Sequence, residues 1–147
     1  MKHRVQYYET DMMGITHHAN YLHWMEEARI DFMDRIGFPY KRMEAEGILS
    51  PVKSIQAHYL KPSSFGDEVD ITVSVQDFNG VIITIFYDMR IAGEQIFTGT
   101  SEHVFLNREG KFVRLRREMP AFCEAIEQQT AVRQAAPPTD SIVSGQD

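Results

Sequence analysis

A carboxylate and a pair of histidines lie in the N-terminal segment YYETDMMGITHHANYLHWMEEAR, just before a predicted helix. Asp11 is a candidate general base or nucleophile, because an aspartate with an ordinary pKa of about 3.9 is ionised at pH 7. The first turn of a helix offers free N–H groups that stabilise an oxygen atom as it gains negative charge. Asp11 could equally be a turn residue bonded to local amides. The residue types alone leave both interpretations open.

The helix that follows is predicted from residue 20 to residue 36. Its apolar residues recur at helical spacing, and charged residues fill much of the opposite face. Gly37 and Pro39 are typical of a helix end. The sequence therefore predicts one long amphipathic helix that begins a few residues after Asp11.

The pattern then changes from helical to alternating. The segments SPVKSIQAHYL, EVDITVSV, VIITIFYDMR, EQIFTGTSEHVFLN and the short KFVRLR are predicted strands, and Asn79-Gly80 and Ala92-Gly93 mark turns between them. A second, shorter helix is predicted from Pro120 to Gln129. The pattern favours an α+β fold in which a curved antiparallel sheet wraps around the long helix. We expect one domain over residues 1–129 and a flexible C-terminal tail over residues 130–147.

Composition narrows the class of protein. The chain has 147 residues and a net charge of −6, which argues against a nucleic-acid-binding protein. Its single cysteine, Cys123, cannot form an intrachain disulfide, as is typical of a reducing compartment. The N-terminus lacks the apolar core of a signal peptide, and no apolar run approaches the ~18 residues of a membrane span. We therefore expect a cytoplasmic protein.

Common catalytic and metal-binding patterns are missing from the sequence. It contains no HExxH, CxxC or GxSxG pattern and no glycine-rich phosphate-binding loop. The histidines at positions 17, 18 and 23 lack the i, i+4 spacing that directs two imidazoles at one ion. We expect no metal site and no cofactor.

The N-terminal segment also resembles a known family signature. RVQYYETDMMGI is similar to the signature of the 4-hydroxybenzoyl-CoA thioesterase family, in which Arg-Val, Thr-Asp and Gly-Ile recur at these intervals, followed by Asn20-Tyr21 and a long helix. The segments YLKPSSFGDEV and RLRREMP resemble later parts of the same family. His18, seven residues after Asp11, is most similar to the Tol-Pal-associated acyl-CoA thioesterases. The resemblance covers roughly residues 1 to 128 and implies the hotdog fold.

The resemblance implies roles for the residues around Asp11. Asp11 would activate water or attack the thioester, and the backbone N–H at His18 would stabilise the carbonyl oxygen. Gly14 would let the backbone turn closely. The imidazole of His18 would position water or protonate the leaving sulfur, and Tyr7 would line the pocket or bond near the acid. Each of these two side chains can equally be a structural residue.

Substrate contacts are implied for both ends of the thioester. Glu26 matches an acid that contacts the substrate ring in one relative, Met13 would suit an apolar acyl group, and Asn20 belongs to the signature. Coenzyme A carries phosphate charges that arginine recognises well. The CoA-binding candidates are Arg90, Arg114 and Arg116.

The family likeness also implies oligomers, because hotdog proteins pair their sheets edge to edge and build sites between chains. We expect a homodimer or homotetramer. The leading function is an acyl-CoA thioesterase that needs only the coenzyme A of its substrate. Alternatives are a hotdog hydratase or dehydratase, an acyl-carrier-protein thioesterase, and a non-catalytic acyl-CoA-binding module.

Overall fold

The computed structural model describes residues 1–135 and confirms an α+β fold. Four helices and five strands follow one another, with a 3-10 turn between the first strand and the first helix. In chain order these are β1 Lys2–Arg4, the 3-10 turn Tyr7–Glu9, α1 Ala19–Arg35, α2 Tyr40–Ala45, β2 Val52–Tyr59, β3 Glu68–Phe78, β4 Ile83–Ile91, β5 Glu94–His103, α3 Leu115–Glu118 and α4 Pro120–Ala135.

The five strands form one antiparallel sheet in the order β1-β3-β4-β5-β2. The turn between β3 and β4 contains the predicted Asn79-Gly80 pair. The Asn79 side chain accepts hydrogen bonds from the N–H groups of Val81 and Ile82, and Gly80 has a φ of 91°, which favours glycine. The hairpins predicted from turn chemistry are therefore present.

The long helix α1 supplies much of the hydrophobic core. Its buried residues follow the predicted helical spacing, and the methyl group of Met25 packs close to Gly99 of β5. Burial of each large apolar side chain contributes about 1.5–3 kcal/mol, so this face holds α1 against the sheet. The buried apolar residues of α1 are Tyr21, Trp24, Met25, Ala28, Phe32 and Met33.

Two sequence predictions near the C-terminus need correction. KFVRLR does not form a strand: Phe112 makes a single bridge to Leu106, and the chain then enters α3. The last helix, α4, continues to Ala135 beyond the predicted end at Gln129. The predicted tail therefore begins within a helix. The domain boundary itself stays a prediction, and residues 136–147 lie outside the described part of the chain.

The edge strand β2 is exposed along almost its whole length. Only Ala57 of its eight residues is partly buried. Its neighbour β5, by contrast, is largely buried. A long edge strand with apolar side chains and free backbone groups is normally covered by another element or another chain.

Candidate active site

The segment that carries Asp11 is a small closed loop. Thr10 and Thr16 form an isolated antiparallel bridge. Inside it, the Asp11 N–H donates to the Ile15 carbonyl at 2.9 Å, and the Gly14 N–H donates to the Asp11 carbonyl at 3.0 Å. Gly14 has a φ of 79°, a conformation that a residue with a Cβ adopts only with strain. Gly14 therefore closes the turn, as the sequence predicted.

The Asp11 carboxylate is half-buried and bonded to this loop. Its Oδ1 accepts a hydrogen bond from the Met13 N–H at 2.8 Å. Within residues 1–135 the carboxylate makes no other hydrogen bond and no ion pair. Asp11 is therefore a turn residue through one oxygen, and its part in catalysis stays a prediction.

The start of α1 presents an unused backbone donor at His18. The His18 N–H donates to no acceptor in the described part of the chain. The neighbouring His17 N–H, by contrast, donates to the Glu9 carbonyl at 2.8 Å. The His17 carbonyl, in the same peptide group as the His18 N–H, accepts from the Asn20 N–H at 3.0 Å, and the His18 carbonyl accepts from the Tyr59 hydroxyl at 2.9 Å. A free N–H at a helix start can stabilise a developing oxyanion.

The His18 ring is exposed and lies beside other rings. Its centroid lies 4.3 Å from that of His17, in a stacked arrangement, and 6.3 Å from that of Tyr59. No hydrogen bond to the His18 ring occurs within the described residues, so both ring nitrogens can reach a ligand. A part for this imidazole in catalysis stays a prediction.

The buried Glu9 side chain anchors the loop to the core. Its carboxylate accepts hydrogen bonds from the Gln6 N–H at 2.8 Å and from the Trp24 indole N–H at 2.7 Å, and it contacts His3 Nε2 at 2.8 Å. Burial opposes ionisation of Glu9, but these bonds outweigh it and hold its pKa below the ordinary value. Sequence analysis missed Glu9 because its buried partner Trp24, fifteen residues away, meets it only in the folded chain.

Asn20 fastens the loop to the helix. Its amide nitrogen donates to the Glu9 carbonyl at 2.9 Å and to the His17 carbonyl at 3.3 Å. The NH₂ group of the Asn20 side chain therefore already donates to two backbone carbonyl groups of the same chain. The geometry favours a positioning role over the predicted contact with substrate, which stays untested.

A buried cluster of hydroxyl groups holds the other end of the loop. The Thr16 and Ser63 oxygens lie 2.6 Å apart, and the Tyr21 hydroxyl lies 2.8 Å from Ser63 Oγ. Burial raises the pKa of Tyr21, so its hydroxyl stays protonated at neutral pH. These contacts connect the loop, α1 and the segment before β3.

Two clefts lie between α1 and β2. The first cleft encloses about 290 Å³ at the helix start and is lined by Ile15, Thr16, His18, Tyr21, Tyr59, Leu60, Lys61 and Pro62. The second cleft encloses about 210 Å³ farther along the helix and is lined by Leu22, His23, Met25, Glu26, Arg29, Val52, Ile55, Tyr87, Ser101 and His103. Asp11 does not line the first cleft itself, but it is bonded to Ile15, which does. Glu26 lies on the second cleft.

Tyr7 and Met13 are farther from the clefts than predicted. Tyr7 is 77% exposed, with its ring centroid 5.8 Å from that of Phe65, and Met13 is 80% exposed. Neither residue lines either cleft. In the single chain they form an apolar outer surface of the Asp11 loop.

The three predicted CoA-binding arginines lie at two ends of the sheet. Arg90, at the end of β4 nearer the Asp11 loop, contacts the Asp88 carboxylate at 2.8 Å and the Gly93 carbonyl at 3.2 Å. Arg116 pairs with Glu127 and lies over the Phe78 ring, beside the β3–β4 turn. Arg114 is exposed just before α3. One chain therefore does not bring all three together.

Comparison with known proteins matches this arrangement to one group of enzymes. The "Putative acyl-CoA thioesterase YneP" of Bacillus subtilis is 38% identical over 125 residues, covering 84% of this chain and 91% of that protein. The structure of a DHNA-CoA thioesterase from Staphylococcus aureus superposes with a TM-score of 0.88 at 30% identity, covering 95% of each chain. The hotdog fold is thereby confirmed.

The branch within the family is less well defined. The acyl-CoA thioesterase YbgC of Helicobacter pylori is 29% identical over 89 residues, covering 60% of this chain and 65% of that protein. Because relatives with other names match as well, the Tol-Pal-associated branch stays a prediction. The chain has a free N–H at a helix start and a carboxylate in the loop before it. The family model of the Thioesterase-like superfamily matches residues 5–141, so the chain belongs to that superfamily.

Proposed function

We propose that this protein hydrolyses acyl-CoA thioesters to a free acid and coenzyme A. The relatives named as acyl-CoA and DHNA-CoA thioesterases support this substrate class. The reaction needs no cofactor beyond the coenzyme A of the substrate. Hydrolysis of acyl-CoA also fits the cytoplasm as the place of action. None of the helices within residues 1–135 combines the length and apolar character that a membrane-spanning segment needs.

Asp11 and His18 divide the chemistry of the proposed reaction. The thioester carbonyl oxygen lies at the His18 N–H, which stabilises it as it gains charge. Asp11 takes a proton from the attacking water, or itself attacks the carbonyl carbon. The C–S bond then breaks and the sulfur leaves as the coenzyme A thiol after gaining a proton. In the alternative with Asp11 as nucleophile, water hydrolyses the resulting anhydride.

The free His18 N–H is the observation on which the proposal depends. It lies at the N-terminal end of the 17-residue helix α1, where the backbone dipole is positive, and His18 lines the first cleft of about 290 Å³. A turn aspartate alone would suggest only local structure. His18 follows the end of the Asp11 loop by two residues, so we place the donor and the carboxylate at one carbonyl group.

We also propose that two copies pair through β2. In an antiparallel pair of β2 strands, the Val52 end of one copy lies near the Tyr59 end of the other. Arg116 lies at the Val52 end of the sheet, because Val52 pairs with His103 and His103 with Ile83. Pairing would therefore bring Arg114 and Arg116 of one copy toward the first cleft of the other, where they could bind phosphates.

Release of free thiol from a panel of acyl-CoAs tests the proposed activity. We expect Asp11→Asn to lower kcat/KM by about 10²–10⁴-fold, as loss of a general base does, without lowering Tm. Asp34→Asn is the matched control, since Asp34 is exposed near the end of α1. Full turnover by Asp11→Asn would remove Asp11 from the mechanism. Turnover of acyl-carrier-protein thioesters alone, or hydration of an enoyl-CoA, would favour those alternatives.

A further inference from the structure

A buried arginine without a carboxylate partner lies on α1. Arg29 is only 8% exposed. Its Nη1 donates to the Tyr40 hydroxyl and lies 3.0 Å from His103 Nδ1. Among the described residues it forms no ion pair, although seven contacts between a lysine or arginine and a carboxylate occur there.

The groups hydrogen-bonded to the Arg29 guanidinium are neutral. Burial, reinforced by the Arg29 charge, lowers the pKa of His103 to about 3, and burial raises the pKa of Tyr87 to about 12. Ser101 connects these two side chains, with its Oγ 2.6 Å from His103 Nε2 and 2.8 Å from the Tyr87 hydroxyl. Buried charges are normally paired with an opposite charge. This cation has none in the described part of the chain.

Arg29 lines the second cleft, whose walls are partly apolar. Leu22 and Met25 line it from α1, and Val52 and Ile55 line it from β2. Glu26 lines the same cleft but is exposed, so water weakens its effect on a ligand. An anionic group inside the cleft would meet Arg29 in surroundings of lower dielectric constant, where a charge-assisted hydrogen bond is strongest.

The spacing along α1 sets the length of a ligand that joins the two clefts. Arg29 follows His18 by eleven residues, which is about 16 Å along a helix. The guanidinium is bonded to Tyr40 and His103, at the Val52 end of β2 and away from the Tyr59 end, so the distance from the His18 N–H to the guanidinium is of the same order as this helix rise. Hydrogen bonds at the two ends take up about 3 Å each, and an extended chain advances about 1.2 Å per bond, so about eight or nine bonds cover the remaining distance.

We propose that Arg29 binds a carboxylate at the far end of the acyl group, so that the preferred substrates are CoA thioesters of dicarboxylic acids with about eight to ten carbons. This inference rests on the proposed thioesterase activity, because it places the thioester carbonyl at His18. The acyl chain then follows the apolar walls between α1 and β2, and its carboxylate supplies the missing counter-charge.

A comparison of matched substrates on the unchanged protein is the first test. We expect octanedioyl-CoA to exceed octanoyl-CoA in kcat/KM by about 10–100-fold, mainly through a lower KM, as expected for one charge-assisted hydrogen bond. Butanedioyl-CoA is too short to reach Arg29 and should lose this advantage. Equal rates for octanedioyl-CoA and octanoyl-CoA would overturn the proposal.

Arg29 variants test whether this residue is the cause. Arg29→Gln should lower the octanedioyl-to-octanoyl ratio of kcat/KM at least tenfold, and Arg29→Lys should restore part of it. Arg35→Gln is the matched control, because Arg35 is an exposed arginine of α1 paired with Asp31. A ratio unchanged in Arg29→Gln would overturn the proposal.

The affinity of the protein for the product acids tests the anion site without catalysis. This measurement is needed if an Arg29 variant does not fold or if no thioester is cleaved. By calorimetry on the unchanged protein, octanedioate should bind at least tenfold more tightly than octanoate. Failure of all hydrolysis with this preference intact would reject the thioesterase activity but keep the anion site. Equal binding of both acids would reject the anion site.

Two other occupants of the Arg29 site give distinct results. If a carboxylate of a second copy pairs with Arg29, neither dicarboxylate preference will occur. If the site recognises a neutral hydroxyl group, 4-hydroxybenzoyl-CoA will exceed benzoyl-CoA while octanedioyl-CoA shows no advantage. Either result overturns the proposal.

Discussion

Asp11 owes its position to side chains that take no direct part in the proposed reaction. Glu9 and Asn20 fasten one end of its loop to the start of α1, and Thr16 fastens the other end to Ser63. The Glu9 carboxylate is the most heavily bonded of these groups, with three partners from two elements and a connecting segment. Buried polar contacts therefore hold the loop in place, which would keep the Asp11 carboxylate in position for the proposed reaction.

Removal of the Glu9 charge tests this positioning role. Glu9→Gln keeps the size of the side chain but replaces one carboxylate oxygen with an NH₂ group. This group is a donor, so it cannot accept the hydrogen bonds that the oxygen accepts. We expect the free energy of unfolding to fall by about 1–3 kcal/mol and kcat to fall more than KM changes. Denaturant unfolding and steady-state kinetics measure both effects. Glu44→Gln is the control, because Glu44 is exposed on α2. Unchanged kcat with lowered stability would limit Glu9 to a structural role.

The residues found from sequence are those whose placement is local. Asp11, Gly14 and His18 lie within one turn and one helix start, so the resemblance of one short segment to a family signature was enough to group them. Glu9 and Arg29 were missed because their partners, such as Trp24 and His103, meet them only in the folded chain. Sequence also assigned Asn20 to substrate, whereas two local carbonyl groups occupy its amide.

Among the secondary-structure elements, the helix α1, the hairpins and their order along the chain could be predicted from sequence. Apolar periodicity and turn residues are local signals, so they can be read without the fold. KFVRLR was predicted as a strand from its composition, but Leu115 is fully buried within α3. Tertiary packing overrides such short signals. The end of α4 was set too early, since no glycine or proline follows Gln129 for several residues.

Close contact between α1 and β5 depends on Gly99. A Cβ there would lie 2.9 Å from a Phe97 ring carbon, 3.1 Å from the Gln56 carbonyl oxygen and 3.2 Å from the Met25 methyl carbon. We expect Gly99→Ala to lower the free energy of unfolding by about 1–3 kcal/mol, because the ring and the β2 backbone must shift. Denaturant titration measures the change. An equally stable variant would show that α1 can move away from the sheet without cost.

The contact between Arg29 and His103 joins α1 to β5 and predicts a pH dependence. Because the folded-state pKa of His103 is about 3, below its ordinary 6.5, the unfolded chain binds a proton first as the pH falls. Stability should therefore decrease below pH 6.5, by up to about 1.4 kcal/mol per pH unit from this group. Glu9 acts in the same direction only below pH 4.5, since its pKa is lowered from that value.

Unfolding measured between pH 4.5 and 6.5 isolates the His103 contribution. His103→Gln keeps an acceptor for Arg29 but does not titrate, so its stability should change less with pH than that of the unchanged protein. His58→Gln is the control, because His58 is exposed on β2. Parallel curves for all three proteins would show that His103 takes up protons in the folded state.

At the scale of the whole molecule, the single chain leaves its longest apolar edge uncovered. β2 is exposed on both faces, and Tyr7, Tyr8, Met12 and Met13 form an exposed apolar surface on the nearby loop. The Asp11 loop lies at one end of the sheet and Arg116 at the other. Sequence predicted an oligomer from family likeness, and the exposed edge gives that prediction a physical reason.

Proline substitutions in β2 separate edge pairing from folding. The Leu60 N–H donates to the Ile96 carbonyl, so in this ladder the Gln56 N–H also faces β5, whereas the Ala57 N–H faces outward. Proline is tolerated on an edge strand only where the N–H faces away from the sheet. We expect Ala57→Pro to stay folded but become a monomer with little activity, and Gln56→Pro to lower Tm strongly. Sedimentation should show the unchanged protein at no less than twice the 17.0 kDa chain mass. An Ala57→Pro protein that remains dimeric and active would place the interface elsewhere.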